Sequence, residues 1–268
     1  MSAGSRVSTQ RAVPRPRANR LARVVLAVLF AGCEPAASVP TPTGAVANPG
    51  FFDVEPLRYT CGEFPFDPAI FDQPGNAEQE GTPQAAALRA QLAPGAPEGD
   101  WLPNTGWHLV GQDADSSEFA VQAGQAANPE IYSLSVEPGP TGWKASGWGG
   151  CRPALVMPAG IGTAEWRLDP ADPVPGPDTR VFGALVTERA CASGELPVGR
   201  VVGPAVVARE GEVRVVFGVR TQPGGHNCPS NPSVRVLVDL GELLGDRALV
   251  DPVLWPATDV RLPDPELD

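Results

Sequence analysis

The chain has 268 residues, 42% of them apolar, with 30 glycines, 32 prolines and almost no long helical periodicity. That composition supports a real core built from short strands joined by many turns. Six of the 20 basic residues and none of the 31 acidic ones fall within the first 32 positions, so the remainder carries 14 basic residues against 31 acidic and a net charge of −17. Such a surface repels a phosphate backbone and excludes nucleic acid as a natural partner.

Arg6, Arg11, Arg15, Arg17, Arg20 and Arg23 are followed at once by an apolar run from Val24 to Gly32. A basic stretch, a short apolar stretch and small residues before a break are the pattern of a signal peptide, here residues 1–32. Roughly ten apolar residues are too few for a spanning helix, which needs about 20. The break Phe30-Ala31-Gly32-Cys33 resembles the bacterial lipobox, whose cysteine is acylated and becomes the mature N-terminus. Phe30 stands where that pattern prefers leucine. The resemblance implies a lipid on Cys33 and a place on the outer face of a membrane. The alternative is a secreted protein cleaved near Ala31 or Ala37.

Cysteine parity agrees with lipidation. Cys33, Cys61, Cys151, Cys191 and Cys228 make five, and an exported protein seldom keeps an odd free thiol. With Cys33 acylated, four remain, and an oxidising compartment makes two disulfides the expectation. Three pairings are open.

Residues 33–56 carry Pro35, Pro40, Pro42, Pro49 and Pro56 among small residues and read as an extended tether. Residues 57–158 read as a small α+β domain. Thr82 caps a helix, Pro83 fits its first position, Ala85, Leu88 and Leu92 form its apolar stripe, and Pro94-Gly95 stops it. Trp107 with Leu109, then Phe119, Val121 and Ala123, then Tyr132, Leu134 and Val136 alternate with a period of two. The turn from Glu137 to Gly142 leads into Trp143. The expectation is one helix on an antiparallel meander, with Cys61 and Cys151 placed to staple its ends.

Pro158 to Gly162 reads as a hinge and Pro170 to Pro177 as a long turn. Residues 162–259 read as an all-β, sandwich-like domain, and residues 260–268 as a tail. Val181 to Glu188 is an apolar run of strand length. Ala205 to Ala208, a turn at Arg209-Glu210-Gly211, and Val213, Val215, Phe217 and Val219 form the clearest hairpin. Arg214 and Arg220 alternate with its apolar residues, which predicts one buried and one wet face. Val234, Val236, Val238 and Leu240 repeat the pattern. A bridge between Cys191 and Cys228 would pin two loops at a sheet end. The class is therefore mainly β.

The runs Glu188-Arg189-Ala190-Cys191-Ala192-Ser193-Gly194, Gly224-Gly225-His226-Asn227-Cys228-Pro229-Ser230-Asn231-Pro232 and Leu244-Gly245-Asp246-Arg247-Ala248-Leu249-Val250-Asp251 resemble a pattern in uncharacterised exported proteins and lipoproteins of GC-rich bacteria. The resemblance covers roughly the last 80 residues. It implies a secreted β domain with one disulfide and no known activity.

Catalytic signatures are missing. Asp113-Ala114-Asp115-Ser116-Ser117 starts like a calcium loop, but Glu118 and Gly124 stand where glycine and glutamate belong, so it reads as an acidic turn. His226 and Cys228 lack further metal ligands nearby, and His108 lies in the other region. No Gly-x-Ser-x-Gly elbow and no glycine-rich phosphate loop occurs. No metal, cofactor or catalytic residue is nominated. Trp101, Trp107, Trp143 and Trp148 gather in the first region, where exposed rings on a sheet could stack on sugars or grip a protein. The functional expectation is a lipid-anchored envelope protein that binds a cell-surface protein or glycan without catalysis. A carboxylate-dependent hydrolase of envelope polymers and a structural spacer are the alternatives.

Overall fold

A computed structural model describes residues 45–46, 55–96, 101–125 and 128–262. Cys33 and residues 1–32, read from the sequence as a signal peptide, lie outside them. Thr82 does start the helix: its Oγ1 accepts a hydrogen bond from the Ala85 amide at 3.1 Å, and α1 runs Pro83–Leu92. Ala85 and Leu88 are fully buried, with Ala87 close behind.

The meander is a four-stranded antiparallel sheet of β3 (His108–Gln112), β4 (Ser117–Gln125), β5 (Asn128–Gly139) and β6 (Gly142–Cys151), in that order. Gly139 pairs with Gly142, so the turn is tighter than the proline-rich sequence suggests. One face carries Phe119, Val121, Leu134 and Val136, which with Leu88, Leu102 and Trp107 make a buried cluster under α1.

Seven further strands and a two-residue segment near the N-terminal side build the second sheet. They are β8 (Ile161–Leu168), β9 (Val181–Glu188), β10 (Val201–Ala208), β11 (Glu212–Arg220), β12 (Val234–Asp239), β13 (Ala248–Asp251) and β14 (Thr258–Asp259), with β1 (Ala45–Val46) parallel to β12. β8 changes partner along its length. Its first half, Ile161 to Ala164, pairs with β11, and its second half, Ala164 to Leu168, pairs with β9. β13 then takes the place beside β11 that β8 has left, pairing Val213 with Leu249. The sheet therefore opens into two layers. Phe182, Ala184 and Val186 of β9 and Val236 and Val238 of β12 pack with Val213, Val215, Phe217 and Val219 of β11 in one core. This is the sandwich-like arrangement, reached within a single branched sheet. The fold is mainly β with one α-helix.

Pro204 interrupts β10 at a register shift, which a strand tolerates at an edge. β10 is such an edge, paired with β11 alone.

The expected wet face of β11 is largely dry. Arg214 and Arg220 lie on it, but Val216 between them is fully buried and packs with Tyr59, Phe66 and Leu155. These residues come from β2 (Tyr59–Thr60), β7 (Ala154–Leu155) and the loop after β2. The alternation shows which residues share a face. It carries no record of the segment from before α1 that folds back over that face. The described residues from 45 to 262 fall in one compact unit. The Pro158–Gly162 stretch is a turn closed by the Ile161 amide on the Pro158 carbonyl, and it leads straight into β8. Glu55, ahead of the first region, pairs with Arg209 and Arg214.

Candidate functional site

The four tryptophans proposed as a binding surface separate in the structure. Trp107 is 0% exposed, and its indole Nε1 donates to the Pro103 carbonyl at 2.7 Å. It is a core residue, withdrawn from the surface because the chain entering β3 passes beneath α1. Trp143 and Trp148 are half-buried against the same core. A spacing of five places two strand residues on opposite faces. Here a register shift at Ser146 inserts an extra residue, so Trp143 pairs with Pro138 and Trp148 with Leu134 on one face. Trp101 alone of the four is open, at 51% exposure, with its ring 5.6 Å from that of Tyr132. The Tyr132 hydroxyl donates to Glu130 at 2.8 Å, which fixes the phenol tilted at 56° against the indole.

The loop that carries Trp101 continues to Asn104, which lines an open cleft of about 690 Å³ with Glu78, Gln79, Glu80, Arg89 and Leu92. Its charged groups largely hold the fold. Arg89 donates to the carbonyls of Glu78 and Glu80. The buried Glu78 carboxylate accepts from the Gly106 and Trp107 amides at 3.3 and 3.2 Å. This clamps the entry to β3 against the turn before α1.

Two more buried carboxylates do the same elsewhere. Glu118 accepts from the amides of Glu63 and Phe64 at 3.0 and 3.2 Å, and burial raises its pKa against those two bonds. Asp251 accepts from Trp166 at 3.2 Å and Val253 at 3.0 Å, and burial pushes its pKa up to about 7. Each carboxylate satisfies amides that the strand ladders leave without partners. Sequence reading missed all three, because an isolated acid in a loop or strand carries no motif.

A second cleft, of about 390 Å³, opens at the far end of the second sheet, lined by Glu165, Glu188, Arg189, Cys191, Cys228 and Asn231 among others. Glu188 is held by Arg200 in a two-pronged pair, the longer bond being 2.9 Å, and Glu165 by Arg189. The carboxylates of this cleft are thus engaged with arginines rather than poised over it as an acid and a base.

Cys61 bonds to Cys151 and Cys191 to Cys228, with Cα separations of 5.8 and 4.5 Å. Cys61 and Cys151 join the two ends of the first region. No group of three or more His, Cys, Asp or Glu side chains among the described residues is placed to hold a metal ion. His108 packs edge-on to Phe71 and is pushed below its usual pKa by burial, partly offset by Glu78. His226 Nε2 and Asn231 Oδ1 are buried without a hydrogen-bond partner. Asp113 accepts from the amides of Asp115 and Ser116, both at 2.8 Å, as an acidic turn does.

Comparison with protein-family models, with characterised proteins and with solved structures finds no match to this chain.

Proposed function

We propose that this is an exported, lipid-anchored envelope protein that binds a cell-surface glycan or protein and carries out no catalysis. The observation that carries the reading is Trp101, a large aromatic side chain left half in solvent and backed by Tyr132. A rigid, amphipathic ring presented at low entropic cost is the usual anchor of a binding surface. Two disulfides suit an oxidising compartment. The basic, then apolar, then small-residue order before Cys33 supports export and acylation.

Co-sedimentation of the full chain with isolated cell-wall polysaccharide, and cross-linking on intact cells, test the two ligand classes. Trp101→Ala is expected to weaken capture at least about tenfold, which corresponds to roughly 1.4 kcal/mol of a single anchor. Trp143→Ala serves as the comparison, since its ring is part of the core. Capture unchanged by Trp101→Ala in both assays would reject the surface. Cys33→Ser is expected to move the protein from the membrane to the soluble fraction, and unchanged fractionation would reject the anchor.

A further inference from the structure

The two disulfides stand in different surroundings. Cys61 and Cys151 are half-buried and close a span of 90 residues, whereas Cys191 and Cys228 are both exposed and close one of 37. The exposed pair also lines a cleft, with Arg189 and Ser230 on the same walls.

The loops it joins are tied by hydrogen bonds that do not need the sulfurs. The Ser193 amide donates to the Asn227 carbonyl at 2.9 Å, and the Asn227 amide donates to Ser193 Oγ at 3.2 Å. Asn231 Nδ2 donates to the Glu188 and Ala190 carbonyls at 2.9 and 2.6 Å. Ala192, beside Cys191, is buried. Among the described residues Ser193 is the one non-glycine residue in the left-handed region, at φ 55°. A backbone held in that region is over-determined by its surroundings. Here the surroundings are those reciprocal bonds to Asn227.

We propose that Cys191–Cys228 is a site of thiol–disulfide exchange, open to a dithiol reductant while the fold stands. An entering thiolate bonds to one of the two sulfurs, the Cys191–Cys228 bond breaks, and the other sulfur departs as a thiolate that takes up a proton. The second thiol of the reductant, as a thiolate, then attacks the reductant's own bridged sulfur. The bond from that sulfur to the protein breaks and the released cysteine takes up a proton, leaving Cys191 and Cys228 as thiols and the reductant as a disulfide. Two electrons and two protons have moved from reductant to protein. Access to sulfur governs such exchange, and the cleft supplies it. The guanidinium of Arg189 on the same wall is paired with Glu165, so the exchange rests on access to sulfur rather than on a neighbouring charge. Cys61–Cys151 remains the structural bridge.

The full chain is titrated with dithiothreitol without denaturant. Free thiols are trapped with N-ethylmaleimide and assigned by peptide mass spectrometry, while far-UV circular dichroism follows the fold. Cys191 and Cys228 are expected to be alkylated at dithiothreitol concentrations about tenfold below those that open Cys61–Cys151, with the spectrum unchanged. The pair is expected to close again in oxidised glutathione. Opening of both bridges over the same range, or loss of the β spectrum as Cys191–Cys228 opens, would overturn the proposal. A Cys61→Ser/Cys151→Ser variant isolates the exposed pair, and its reduction in the folded state is expected to follow the same curve.

Discussion

The indole Nε1 of Trp166 donates to the carbonyl of Val215 at 2.8 Å, at the point where β8 peels away from β11. Ala164 and Phe217 are still partners in the ladder, and the register continued would have paired Glu165 with Val216 and then Trp166 with Val215. The ladder ends instead. The side chain of Trp166 meets the freed carbonyl, and Asp251 meets the freed Trp166 amide. One aromatic and one acid thus let a single sheet open into two layers without orphaning its backbone.

Trp166→Phe keeps most of the ring volume and removes the donor. The Val215 carbonyl is then buried without its partner, at a cost of about 1–3 kcal/mol. Chemical denaturation is expected to show a lowered midpoint at constant slope. A midpoint equal to that of the parent would mean the bond contributes nothing.

Asp251 links stability to pH. Burial holds its folded pKa at about 7, against 3.8 for the free side chain. The folded state therefore binds more protons than the unfolded state between those values. The contribution of this group is fully present below about pH 4 and is lost as pH rises through about 7. Asp251→Asn removes that titration. The gap between variant and parent in denaturation midpoint is expected to shift in the variant's favour from pH 4 to pH 8. A gap constant across that range would show that Asp251 does not titrate there.

Gly111 has no room for a side chain, since a Cβ would enter the Phe64 ring, whereas a Cβ at Gly149 meets nothing within 4 Å. Gly111→Ala is expected to cost about 1–3 kcal/mol through forced displacement of Phe64. Gly149→Ala, on an open strand face, is expected to be neutral or slightly stabilising. Thermal melts of the two variants side by side distinguish packing from a general effect of glycine in strands.

The Cys61–Cys151 bridge closes a span of 90 residues and joins the start of the first region to the last residue of β6. Its removal by Cys61→Ser/Cys151→Ser is expected to lower unfolding free energy by about 2–5 kcal/mol. Urea unfolding of parent and double variant measures it. A loss below about 1 kcal/mol would show that the other contacts already hold the two ends.

Local chemistry was enough for the parts of this protein whose determinants lie within a few residues of one another. The capped helix at Thr82-Pro83, the alternating strands around Phe119, Leu134 and Val215, and the hairpin of β10 and β11 all follow from propensity and period. The candidate surface was legible as a cluster of tryptophans, and only the fold separated them. A strand bulge turned Trp148 to the face of Trp143, and the loop under α1 swallowed Trp107. β8 was not foreseen, because its residues Ile161 to Leu168 mix glycine, charge and aromatic without a clean period. The amide-binding carboxylates of Glu78, Glu118 and Asp251 and the dry far face of β11 were invisible for a related reason. Each depends on which distant backbone amide or side chain arrives to meet it, and Glu118 with Phe64 or Val216 with Tyr59 are contacts between segments far apart in the chain. Period and capping are properties of neighbours in sequence. Burial, ion pairing and the opening of a sheet are decided by neighbours in space.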